Sequence, residues 1–175
     1  KYINWLRANA SDLLSNVKKD DEYVADICAD FGEFTADLRS RPSLKKEADP
    51  MKEMPARLTH QFVRLCCCVA VVMQRPIDRE VIRIVRKVAV DTSRGTSLDI
   101  VNNLFPTTEG METRALSIRL NKSEPEVRKF LRFLSHPTID VVMRIEKDSA
   151  RRRTKIFQWR LTERMRELIE RIRDD

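Results

Sequence analysis

The residues with the most chemistry to offer stand at the head of one stretch, "MPARLTHQFVRLCCCVAVVM" (54–73). On a helix starting near Ala56, Arg57, Gln61 and Arg64 recur at i, i+4 and i+7 with His60 alongside, making a polar stripe over its first turns. A guanidinium at the N-terminus of a rigid helix suits an anion. The macrodipole and the free N–H groups favour negative charge there, and the guanidinium adds bidentate hydrogen bonds. The alternative is structural, with Arg57 and Arg64 paired to Glu33 or Asp37 of a neighbouring helix. Spacing alone leaves both open.

The cysteines that follow offer less. Successive residues on a helix diverge by about 100°, so Cys66, Cys67 and Cys68 cannot converge on one ion as CxxC loops do. With Cys28 the only other cysteine, and His60 and His136 the only histidines, no metal site is expected. Cysteine is read as a small core hydrophobe in a reducing compartment. The apolar run Leu65–Met73 has nine residues, short of the about 20 a helical span needs, so no membrane partner is expected. Being apolar all round, that half of the helix is expected to be buried on most sides.

A second chemistry is basic. Residues 98–175 hold 17 Lys/Arg against 13 Asp/Glu, and "KDSARRRTKIFQWR" (147–160) alone has six basic residues and one acidic. Arg151, Arg152 and Arg153 with Lys155, and Arg128, Lys129 and Arg132 on a preceding helix, are candidates for phosphate contacts. Phosphate contacts position a protein, whereas sequence reading needs base contacts. The helix carries neither Asn nor Gln, so DNA is expected as a partner bound with little sequence preference. The alternative is a protein-docking unit with a solvated basic tip. Phe157 and Trp159 are expected in the core rather than as stacking platforms.

No catalytic centre is legible. There is no Gly-rich phosphate loop followed by Lys and Ser/Thr, and no helix-borne His/Glu metal pair. The carboxylates scatter through helices rich in Lys and Arg, the pattern of solvated faces.

The elements that must position these residues follow from composition and punctuation. The chain has 175 residues, 42% hydrophobic and 35% charged with only three glycines, which suits one or two small, mostly helical domains. Its net charge of +7 favours a polyanionic partner. Tyr2, Trp5, Leu6, Leu13, Leu14 and Val17 have helical spacing, as do Val24, Ile27, Cys28, Phe31, Phe34 and Leu38. Asp20 or Asp21 is expected to cap the second helix, and 40–55, with three prolines, to be a loop. Pro55 suits the first turn of a third helix ending near Met73. Asp78 is expected to cap a fourth whose Val81, Ile82, Val85, Val88 and Ala89 face inward, with Gly95 as its stop.

Past Gly95 the pattern changes. "TSLDIVNNLF" and "METRALSIRL" read as short helices, and "NKS" turns into "SEPEVRKFLRFL", whose Ser123 and Glu126 have capping-box spacing. Val127, Phe130, Leu131 and Leu134 share one face of that helix. "TIDVVMRIEK" and "TKIFQWRL" are β-like around the basic "DSARRR" tip, and "TERMRELIERI" closes the chain as an amphipathic helix. The fold class expected is therefore mainly α: a four-helix bundle over 1–94, then a winged helix-turn-helix over 97–175 with a small β-hairpin wing.

"ARLTHQFVRL" is similar to the sensor-2 helix of the minichromosome maintenance replicative helicases. In that family an Arg is followed seven residues later by the Arg of an I/V-R-L triplet; here these are Arg57, then Val63, Arg64 and Leu65. "KYINWLRANA" resembles the helix preceding the lid in that family, and "PIDREVIRIVRKVA" sits where its last lid helix lies. A winged helix follows the lid in its archaeal members. The likeness covers most of 1–94 and, in architecture only, 98–175. Other AAA+ ATPases, among them origin-recognition and Holliday-junction motor families, share a lid with a sensor-2 Arg before a winged helix. Two departures stand out: three cysteines replace the usual small and charged residues, and the Walker motifs are absent.

The resemblance implies that 1–94 is an AAA+ lid-type bundle, and that the chain is the C-terminal part of an ATP-driven DNA helicase of replication, cut from a larger protein. It implies that Arg57 contacts the γ-phosphate of ATP across a subunit boundary, with Arg64 as its sensor-2 companion. ATP and Mg are then cofactors of the parent protein and of nothing in this chain alone. Its own AAA+ core domain and neighbouring subunits of a hexamer are implied partners, and a cytoplasmic, nucleoid-associated or a nuclear location is implied. A free-standing winged-helix regulator with a dimerising or partner-binding helical bundle is the alternative.

Overall fold

A computed structural model describes residues 1–15, 22–40, 53–148 and 155–174. The expected cap at Asp20 or Asp21, most of the 40–55 loop and the Arg151–Arg153 tip lie outside the described residues. Among the described residues there are eight helices and one two-stranded antiparallel sheet, so the chain is mainly helical with a β-hairpin. In chain order these are α1 (Tyr2–Ser15), α2 (Glu22–Arg39), α3 (Pro55–Met73), α4 (Arg79–Thr92), α5 (Thr96–Leu104), α6 (Thr113–Leu120), α7 (Glu124–Leu134), β1 (Val142–Asp148), β2 (Lys155–Leu161) and α8 (Glu163–Asp174). The chain forms two compact units, one of Lys1–Ala36, Met54–Thr92 and Arg171–Asp175, the other of Asp37–Glu53 and Ser93–Glu170.

In the first unit the helical spacing of α2 translates directly into burial. Val24, Ile27, Cys28, Phe31 and Phe34 are all buried, and Phe31 meets Phe62 of α3 edge-on with ring centroids 6.0 Å apart. Gly32 lets the two helices approach closely. A Cβ there would lie 2.5 Å from Thr59 Oγ1 and 2.9 Å from both the Pro55 carbonyl oxygen and the Thr59 nitrogen. Two of those three atoms are backbone, so the first turn of α3 is held against α2 at a spacing no larger residue permits.

α3 begins as expected with Pro55 at its first turn and ends where Gln74 adopts left-handed backbone (φ 53°). Its burial differs from expectation. Leu58, Phe62, Cys66, Cys67 and Ala70 are buried, but Cys68, Val72 and Met73 are exposed. One face therefore stays open along its length rather than over its polar end alone. The apolar run of nine residues is also too narrow a measure of this helix. At 19 residues, with mean hydropathy 1.3 over its best window, α3 is long and apolar enough by length and composition to cross a membrane, and 33% of that window is buried in the protein. The open face carries Arg57 and Arg64, and a guanidinium at mid-bilayer depth costs about 2.5 to 3.5 kcal/mol.

Asp78 caps α4 as its position predicts: its Oδ1 accepts from the Glu80 and Val81 N–H groups at 3.1 and 3.2 Å. It also pairs with Arg75. Partial burial pushes the Asp78 carboxyl up, but the Val81 N–H, the Arg75 guanidinium and the Glu80 N–H together outweigh it and hold the group below its ordinary value. At Tyr2 and Trp5 of α1 the periodicity overstates burial. Tyr2 and Trp5 are 48% and 43% exposed, stack on each other, and Tyr2 donates its hydroxyl proton to the Val72 carbonyl oxygen at 2.6 Å.

The second unit is built on α5, α6, α7, the hairpin and α8. Ile100, Leu104, Leu116, Val127, Leu131, Leu134, Ile139 and Met165 are fully buried. Gly95, expected as a stop for α4, is the N-cap residue of α5 with φ +139°. Ser123 caps α7 by accepting from the Glu126 N–H at 3.4 Å, while the Glu126 carboxylate accepts a hydrogen bond from the Lys122 ammonium at 2.8 Å. The hairpin pairs Val142 with Leu161 through to Asp148 with Lys155. A single antiparallel bridge, Met111 with Trp159, adds a third short edge, each N–H donating to the other's carbonyl at 2.8 Å. In the same unit the buried Asp37 carboxylate accepts from Arg164 at 2.7 Å, and the same guanidinium nitrogen donates to the Ile139 carbonyl at 2.8 Å.

Candidate functional site

The expected basic residues fall into three groups. Arg128, Lys129 and Arg132 are exposed on α7. Arg151, Arg152 and Arg153 lie outside the described residues, and of Lys155 only the backbone is described, paired with Asp148 in the hairpin. Arg57, His60, Gln61 and Arg64 are all exposed on α3, Arg57 in the first turn. Of the structural partners considered for the α3 arginines, Asp37 is engaged by Arg164.

In the second unit α7 and the hairpin enclose a groove of about 480 Å³ lined by Glu112, Thr113, Arg114, Glu124, Arg128, Arg132, Arg144, Phe157 and Trp159. Each wall has a local cause. Arg128 and Arg132 stand one turn apart on α7, whose buried face (Val127, Leu131, Leu134) turns them outward. Arg144 and Trp159 are register partners and Phe157 lies two residues before Trp159, so all three share one face of the hairpin. Arg114 comes from the first turn of α6. Lys129, though exposed, is not part of the lining.

The floor is rigidly made. Trp159 is 7% exposed and donates its indole N–H to Thr113 Oγ1 at 3.1 Å. Beside it Gly110 has φ +83°, and a Cβ there would lie 2.7 Å from the Trp159 carbonyl oxygen, so backbone conformation and close approach both require glycine. Phe157, by contrast, is 39% exposed, and the Arg144 guanidinium sits 3.4 Å from its ring centroid. Trp159 is core, as expected; Phe157 is not. The bridge to Met111 covers Trp159, and Phe157 lies two residues beyond it towards the hairpin tip.

Electrostatically the groove carries four guanidiniums against the Glu112 and Glu124 carboxylates. Glu124 pairs loosely with Arg128 at 3.8 Å, and among the described residues no carboxylate forms an ion pair with Arg114, Arg132 or Arg144. Such a lining suits an anion that also offers an apolar plane. Sequence reasoning found Arg128 and Arg132 and missed Arg114 and Arg144. The available signal for Arg144 was its strand alternation with Phe157 across the basic tip, which places both on one face.

The cysteines form no such site. Cys28 and Cys66, both buried, face each other across α2 and α3 with sulfurs 3.7 Å apart, and Cys67 is buried beside them. The hydrogen bond to Cys66, with burial, pushes the Cys28 thiol up, so it packs as a hydrophobe rather than ionising. Among the described residues no three His, Cys, Asp or Glu side chains gather as metal ligands. Comparison with protein-family models, with curated proteins and with solved structures finds no match to this chain.

Proposed function

We propose that the second unit is a winged helix-turn-helix that binds DNA with little sequence preference, α7 serving as its recognition helix and β1–β2 as its wing. The observation that carries this is the groove beside α7, where arginines from α6, α7 and β1 converge. Three guanidiniums free of carboxylate partners among the described residues favour a polyanion over an acid-poor protein surface. Backbone contacts come from Arg128 and Arg132, with Lys129 on the same helix. The helix α7 has no amide side chain to read adenine.

The test is binding of a blunt duplex against salt. A log–log slope of roughly −2 to −5 is expected from counterion release, and Arg128→Ala with Arg132→Ala should flatten it by about 2. A slope near zero, or one that the double substitution leaves unchanged, would instead favour protein docking.

For the whole chain, the likeness of 1–94 to an AAA+ lid supports a role as the non-catalytic C-terminal part of an ATP-driven DNA helicase. Arg57 is then the nucleotide sensor, ATP and Mg belong to the parent protein, and the AAA+ core domain and neighbouring subunits are its partners. An exposed Arg57 in the first turn of α3, a helix whose N-cap Met54 offers no side-chain cap, is compatible with an anion there. Arg57→Ala in the full-length motor should collapse ATPase activity while hardly moving the melting temperature of this unit; a large melting shift would make Arg57 structural.

A further inference from the structure

We infer that the groove between α7 and the hairpin holds an unpaired nucleotide, so that this unit prefers a duplex carrying a single-stranded overhang to a blunt one. The inference rests on the nucleic-acid reading above and names which nucleic acid the groove takes.

Three features of the groove point to it. The first is the stack on its wall. Phe157 is 39% exposed and its ring is matched by the Arg144 guanidinium 3.4 Å from its centroid, giving two planar groups at the edge of a cavity instead of in the core. Bases stack on aromatic rings and on guanidinium planes, and a base is available for this only when unpaired, because in a duplex its faces are already covered. The second is size. About 480 Å³ lies in the range of pockets for small ligands and is far too small for a double helix. The third is charge. Four arginines against two glutamates leave a net positive lining, and Arg128 and Arg132 stand one turn apart on α7 within it, where the phosphate of a stacked nucleotide would be held.

A strand end is favoured over a free nucleotide because the basic surface continues outside the groove at Lys129 on the same helix, where the flanking duplex would lie.

The experiment compares a blunt duplex with the same duplex bearing a short 3′ or 5′ overhang that carries 2-aminopurine. The overhang should bind about five-fold to a hundred-fold more tightly, the range expected from stacking one base, and its fluorescence should fall on binding. Phe157→Leu removes the ring and Arg144→Lys removes the planar cation while keeping its charge; each should bring the ratio of overhang to blunt affinity close to one. Lys129→Gln, outside the groove, should weaken both substrates and keep the ratio. Equal binding of the two substrates by the wild type would overturn this inference and leave the DNA-binding proposal intact. A preference that survives both Phe157→Leu and Arg144→Lys would overturn it as well. Binding of neither substrate would overturn both proposals. Competition by AMP at the concentrations of the overhang would replace a strand end by a free nucleotide.

Discussion

Arginines gather in two places in this protein, and the two gatherings are built differently. On α3, Arg57 and Arg64 come from one helix and face outward seven residues apart, about 10 Å along its axis. In the groove, Arg114, Arg128, Arg132 and Arg144 come from α6, α7 and β1 and converge on one cavity with an aromatic wall. A stripe on a single helix offers charge to whatever approaches. A concave meeting of three elements also restricts shape, and so selects what enters. The groove therefore brings its guanidiniums together within one cavity, whereas the α3 stripe lies along a single exposed helix face.

The largest expected effect tests the scaffold of the groove side. Arg164→Ala leaves the buried Asp37 carboxylate without its 2.7 Å guanidinium partner, and should cost the second unit about 3 to 5 kcal/mol, read as denaturant midpoint. A loss below about 1 kcal/mol would mean that other contacts hold the Asp37 carboxylate without Arg164.

Two glycines then separate the sites. Gly110→Ala forces a Cβ to 2.7 Å from the Trp159 carbonyl at a positive φ, at a cost of about 1 to 3 kcal/mol, and should weaken DNA binding by displacing the groove floor. Gly32→Ala crowds the first turn of α3 and should cost a similar about 1 to 3 kcal/mol with DNA affinity little changed. If Gly32→Ala weakened DNA binding as much as Gly110→Ala does, the two regions would act as one site.

The smallest effect concerns pH. The Asp78 carboxyl is held below its ordinary value of 3.8, so its contribution is complete above that value and fades as pH falls through its lowered one. Asp78→Asn keeps an N-cap acceptor but loses the charge, so the melting temperatures of variant and wild type should draw together as pH falls below about 4. A constant gap between them would assign the stabilisation to the cap alone.

Much of this architecture was legible from local rules. Asp78 and Ser123 cap the helices their positions announce, and Pro55 opens α3, because caps depend on a few neighbouring residues. Apolar spacing located α2's buried face residue by residue, since that face packs against α3. It failed at Tyr2 and Trp5 of α1, which have the right period but too little protein beside them. It failed at Phe157 for the opposite reason. Phe157 and Trp159 share a strand face and should share a fate, yet the Met111 bridge covers one and stops short of the other. Gly32 and Gly110 gave no warning in sequence, because what each must fit against, Thr59 and Trp159, lies 27 and 49 residues away.

By itself the sequence determined the helices, the hairpin, the caps at Asp78 and Ser123 and the inward faces of most helices. These follow from periodicity and short-range hydrogen bonding, which act within a few residues. Only the tertiary structure decided that Arg114 and Arg144 join Arg128 and Arg132, that Phe157 stays open beside Arg144, and that α3 keeps an exposed face along its whole length. Convergence of side chains from separate elements depends on how those elements pack, and packing is a property of the whole unit, not of any one segment.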